Sequence, residues 1–165
     1  MKTCLVLAAV AAVAVAGLVA AGGSAQTGSG RVLRLFDDAA HESNAFVDNP
    51  PRSPAKSPES RRFRLSTGDE LVARTPVLDR RGGTRVGTSY AQAVVVRGRT
   101  FEHATLQAEV VLALRGGTIA LTGLAGAAQR PFAVVGGTGA YEGARGSATE
   151  RETRGGAKLT IRLLP

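Results

Sequence analysis

The sequence predicts an all-β protein: an antiparallel β-barrel of seven or eight strands, preceded by a signal peptide. Three observations carry that expectation. Apolar residues recur with period two along most of the chain after Arg31. Glycine pairs punctuate it, at 82–83, 116–117, 136–137 and 155–156. No segment after Arg31 carries the apolar stripe of an amphipathic helix. Seven or eight strands joined by short turns mean a sandwich or a barrel. The barrel is preferred, because closure leaves no sheet edge to protect.

The elements follow in order. Lys2 precedes the apolar run Cys4–Ala21, and small residues follow in "GGSAQ". This is the pattern of a signal peptide over 1–25, cleaved before Gln26, with a secreted product and no lasting membrane anchor. An uncleaved anchor is the rival, since the run is about long enough to span a bilayer. Residues 26–30 read as a flexible leader and 31–165 as a single domain. Removing the first segment leaves about 140 residues, enough for one core. It also takes away Cys4, the only cysteine, and with it any disulfide.

"RVLRLFDD" (31–38) is the first strand expected. Val32 and Arg34 alternate there with Leu33 and Leu35, so its inner face is left open. "NPPRSPAKSPES" (49–60) carries four prolines, which exclude a helix or a sheet interior and mark a long exposed loop. Strands are then expected at 68–79, where Pro76 suggests an edge or bulge, and at 85–98. In 105–114, Leu106, Ala108, Val110, Leu112 and Leu114 share one face. Gly116–Gly117 reads as a hairpin turn needing positive φ. Strands at 118–126, 130–137, 141–152 and 157–165 complete the set, the last with Leu159, Ile161 and Leu163 on one face.

The formal charge of +8 suits anionic surfaces. It does not indicate a nucleic-acid partner: the arginines are scattered, aromatics are few and tryptophan is absent. His41 and His103 are far apart and lack ligand spacing, so no metal is expected. No GxSxG motif supports a hydrolase.

"VVGGTGAYEGARGSA" (134–148) raises the question of a nucleotide-binding loop. A dinucleotide fingerprint needs a third glycine where Glu142 stands, and a helix after it. "YEGARGSATERE" is a poor helix, and Glu142 would repel phosphate. A P-loop fails for want of Gly-Lys-Ser/Thr. "GGTG" is therefore expected to link two strands, with Gly143 and Gly146 inside the second, and no cofactor is expected. The block "FAVVGGTGAYEGARGSA" resembles the signature of the allene oxide cyclase and dirigent superfamily. "GDELVARTPVLDRRGGTRVGTSYAQAVVV", "TFEHATLQAEVVLALRGGTIALTGLAG" and "KLTIRLL" extend the resemblance over Arg31 to Pro165.

The resemblance implies an eight-stranded barrel with an apolar interior, and a partner that is a small hydrophobic molecule whose cyclisation or coupling is directed by shape. It also leaves room for a homo-oligomer, dimer or trimer. It places a catalytic aspartate at Asp38 by the dirigent pattern; the cyclase pattern puts the acid at Ala39 and a polar group at His41. Arg145 matches an arginine of dirigent proteins. Asp38 and Arg145 are thus the catalytic candidates, with His41, Tyr90 and Tyr141 as substrate-binding ones. Against this, Asp37 and Asp38 can simply end a strand, Arg145 can be a surface residue and Tyr90 a core one. The competing function is a non-catalytic secreted barrel that carries a ligand or binds an envelope or matrix polymer.

Overall fold

A computed structural model describes residues 30–50, 64–126 and 129–165. The expected signal peptide, nearly all of the leader and most of the 49–60 loop lie outside them.

The described chain is all β apart from three single turns of 3-10 helix. The strands are β1 (Val32–Asp38), β2 (Ser43–Val47), β3 (Glu70–Leu78), β4 (Arg85–Arg97), β5 (Thr105–Leu114), β6 (Gly117–Ala125), β7 (Gln129–Gly137), β8 (Gly146–Thr153) and β9 (Gly156–Leu163). From β3 to β9 each strand pairs antiparallel with the next, and β9 pairs with β1. A short β1–β3 pairing, Phe36 with Leu78 and Asp37 with Val77, closes the ring. The result is a closed eight-stranded antiparallel barrel with one extra strand. That strand, β2, was not expected. It follows a single 3-10 turn at Ala39–His41 and continues along the edge of β3 that β1 has left.

Pro76 falls where it can be tolerated. It lies on β3 between the β1 and β2 pairings, one residue before the bulge at Val77/Leu78.

Alternation sets the interior. Leu112 and Ile119 are paired across β5 and β6, and both are wholly buried. They pack with Val110, Leu121, Phe132, Val134, Leu159 and Ile161, and Leu33, Leu35, Leu106, Leu114 and Leu163 lie against them. The strand whose inner face was open thus turns Leu33 and Leu35 inward. A second cluster, Leu65, Leu71, Val95 and Ala104, packs with Phe46 and Phe101. Asp69 is buried beside it, accepting hydrogen bonds from Ser66 N, Ser66 Oγ and Asn49 N. It ties the strand entry to the segment after β2.

The glycine-rich block is a turn, with one boundary to correct. Gly136 and Gly137 end β7, Gly139–Tyr141 form a 3-10 turn, and β8 starts only at Gly146. Residues 141–145 are therefore not strand, and Gly143 sits in the turn at φ +70°. Gly137 is required by close approach rather than by its own φ: a Cβ there would run into the carbonyls of Tyr141 and Thr118. In the β5–β6 hairpin the positive φ, +140°, falls on Gly117.

Candidate functional site

Strand parity explains where polar groups enter the barrel. Leu33 and Leu35 face inward, so Asp37 does too. It pairs with Ala157 on β9, and Ala157 pairs with Glu152 on β8. One row over, Leu35 pairs with Leu159, Leu159 with Glu150, and Glu150 with Arg130 on β7. Two rows across β7, β8, β9 and β1 thus bring Asp37, Arg130, Glu150 and Glu152 to one side of the interior. Ala157 leaves room between Asp37 and Glu152.

Arg130 is the hub of the group. Its Nη1 donates to Glu150 Oε1 at 2.7 Å, and its Nη2 donates to Glu152 Oε1. These side chains are 12, 17 and 22 % exposed for Arg130, Glu150 and Glu152. Burial pushes both glutamates above the ordinary carboxylate range, and the arginine beside them opposes it. Glu42, after the 3-10 turn, adds a third carboxyl. It accepts from Asn44 Nδ2 at 2.9 Å and from Thr75 Oγ1 at 3.3 Å.

Asp37 differs from the rest. The residue is partly buried, but its Oδ1 is sealed from solvent and has no hydrogen-bond partner. Burial, then the charges of Glu150 and Glu42, push its carboxyl up to about 8, against the opposing pull of Arg130. At neutral pH it is largely a neutral acid, able to donate a proton. Across the barrel, β3 to β6 present mostly small inward residues at this level: Ala73, Ala91, Ala93, Ala108 and Gly123.

The residues singled out in the sequence fall elsewhere. Asp38 has the opposite parity to Asp37. It caps the 3-10 turn, accepting from Ala40 N at 3.2 Å, and its Oδ2 lies 2.7 Å from Nδ1 of exposed His41. Arg145 is exposed in the turn before β8, and its carbonyl accepts from Leu164 N. Leu163 N in turn donates to Arg31 O. Arg145 is thus beside the start of β1 and Asp38 at its end, about 20 Å along an extended strand. The barrel does not bring the two together.

Tyr90 is 47 % exposed, on the outer face. It lines a groove of about 510 Å³ there with Val72, Arg74, Gln92, Glu109 and Val111. Tyr141 is buried at the foot of the barrel, near Gly116 and Gly137, with the Arg31 guanidinium 5.3 Å from its ring centre.

The sequence reading missed Asp37, Glu42, Arg130, Glu150 and Glu152. A signal for four of them was present. Arg130 keeps step with Phe132 and Val134, Glu150 and Glu152 with Ala148, and Asp37 with Leu33 and Leu35. Among the described residues no group of three or more His, Cys, Asp and Glu side chains is placed to hold a metal ion.

No protein-family model matches the chain, and no curated protein matches it in sequence. Solved structures do match in fold. A pyocyanin demethylase superposes with a TM-score of 0.62 at 19% identity, over 81% of this chain and 100% of its own. A pterocarpan synthase dirigent protein gives 0.59 at 22%, over 84% and 95%. An exo-specific intermolecular Diels–Alderase gives 0.55 at 16%, over 82% and 98%. The chain shares its barrel fold with these three proteins.

Proposed function

We propose that this chain is a cyclisation- or coupling-directing barrel, and that Asp37 is its proton donor. One observation carries the reading. A carboxyl group with an unpartnered, buried oxygen and a raised pKa points into a barrel that has small residues across from it. A neutral acid in a low-dielectric enclosure polarises a carbonyl, enone or ether oxygen far more strongly than water does. The wall restricts the rest of the molecule to one folded shape. A proton lent at the start of a cyclisation returns at the end, so the reaction is an isomerisation and needs no co-reactant.

The fold supports this reading, because dirigent proteins and Diels–Alderases share the barrel. The substrate is then a small, mainly apolar molecule bearing one oxygen acceptor. The apolar segment 1–25 is read as an export signal, which puts the activity outside the cell.

The test is to incubate the mature protein with a metabolite extract and identify what it retains. The retained compound is then incubated with the wild type and with Asp37→Asn. A single cyclised or coupled product from the wild type, and a slow or mixed outcome with the variant, is expected. The same compound recovered unchanged from both would favour the carrier.

A further inference from the structure

The charge inside the barrel runs opposite to the charge of the chain. The whole sequence carries +8, yet the described interior group holds three glutamates and Asp37 against a single arginine. Arg130 engages one oxygen of Glu150 and one of Glu152. Glu42 is held by Asn44 and Thr75, two neutral donors that leave its charge uncancelled. Counted as side chains, four carboxyls share this group with one guanidinium. Buried carboxylates in excess are costly unless something positive joins them. The orphaned Asp37 Oδ1 points into the same space and lacks a partner. The carboxyls do not converge as metal ligands do, which suits a charge spread over an organic body.

We propose that the barrel interior selects for positive charge, and that its ligand is a small organic cation with an apolar body, bearing the oxygen acceptor that Asp37 addresses. The inference rests on the reading of the barrel as a small-molecule site and specifies what that site prefers. The apolar body lies against Leu35, Leu159 and Phe132, and the positive end lies between Asp37, Glu42 and the Glu150–Glu152 pair. The same arrangement favours positive charge that develops on a substrate after proton donation.

A matched pair of probes tests this: N-methylquinolinium and 1-methylnaphthalene, alike in shape and differing by one charge. Titration calorimetry of the wild-type protein at pH 7 should show the cation binding at least tenfold more tightly. Glu42→Gln should remove most of that preference while leaving the affinity for 1-methylnaphthalene unchanged. Glu150→Gln should do the same where it folds, and the wild-type comparison does not depend on it. Equal affinities, or tighter binding of the neutral probe, would overturn the charge preference and leave the barrel standing as an apolar small-molecule site. Binding of neither probe would overturn both.

Discussion

β5 and β8 are built on the same alternation and do opposite things. β5 sends Leu106, Ala108, Val110, Leu112 and Leu114 inward, and Gln107, Glu109 and Val111 out. β8 sends Ala148, Glu150 and Glu152 inward, and Ser147 and Arg151 out. The first strand holds the barrel together by burial. The second places charge where burial penalises it, and it is tolerable only because Arg130 on the next strand reaches both acids. Apolar burial is concentrated on one wall and buried charge on the other.

The comparison is broken most severely at Arg130. Arg130→Met strands two buried carboxylates and should cost about 3–5 kcal/mol at pH 7. The loss should be smaller at pH 5 than at pH 7, because acid favours protonation of Glu150 and Glu152, whose carboxyls burial already pushes up. Urea denaturation at the two pH values measures it. On the other wall, Leu112→Ala removes a wholly buried side chain. It should cost about 2–5 kcal/mol, by the same amount at both pH values. A pH-dependent loss at Leu112 would show that the two walls are not independent.

Asp37→Asn sharpens the contrast. The folded protein keeps the Asp37 proton up to about pH 8, while the unfolded chain releases it near its ordinary 3.8. Between those values the folded state binds more protons, so stability falls as pH rises. The part that Asp37 contributes is fully present below 3.8 and lost by about 8. Asparagine has no proton to lose. The variant should therefore match the wild type near pH 4 and exceed it by about 1–3 kcal/mol at pH 8.5, with a residual slope from Glu150 and Glu152. Thermal melts across the range show this; parallel curves would remove Asp37 from the buried group. The smallest effects belong to Asp38→Asn and Arg145→Leu. Each lies outside the interior and should shift stability by no more than about 0.5 kcal/mol.

The same contrast explains what the sequence made legible. β5 and β9 are readable because burial rewards each inward residue, so Leu106 to Leu114 and Leu159 to Leu163 alternate cleanly. β7 and β8 break the pattern at Arg130, Glu150 and Glu152, where a polar side chain faces in. A period-two reading scores such positions as solvent-facing. Asp37 was passed over for Asp38 because the two are adjacent and only parity separates them, which needs the inner face of β1 to be known. β2 was invisible for another reason. Ser43, Ala45 and Val47 face outward and Asn44 is polar, so on the inner face only Phe46 carries an apolar signal. The strand forms because β3 offers it an unpaired edge, and that edge is tertiary information.

The way the barrel closes bears on how the Asp37 carboxyl meets solvent. β1 is joined to β9 along its whole length but to β3 through two residue pairs only, and Asp37 is in one of them. A ring opens first at its shortest join, by local unfolding that leaves the other strands intact. When that join parts, the Asp37 carboxyl meets water and exchanges its proton; when it re-forms, the acid is enclosed again. Exchange of the Asp37 proton with solvent is then expected at the breathing rate of the β1–β3 seam, without unfolding of the other strands.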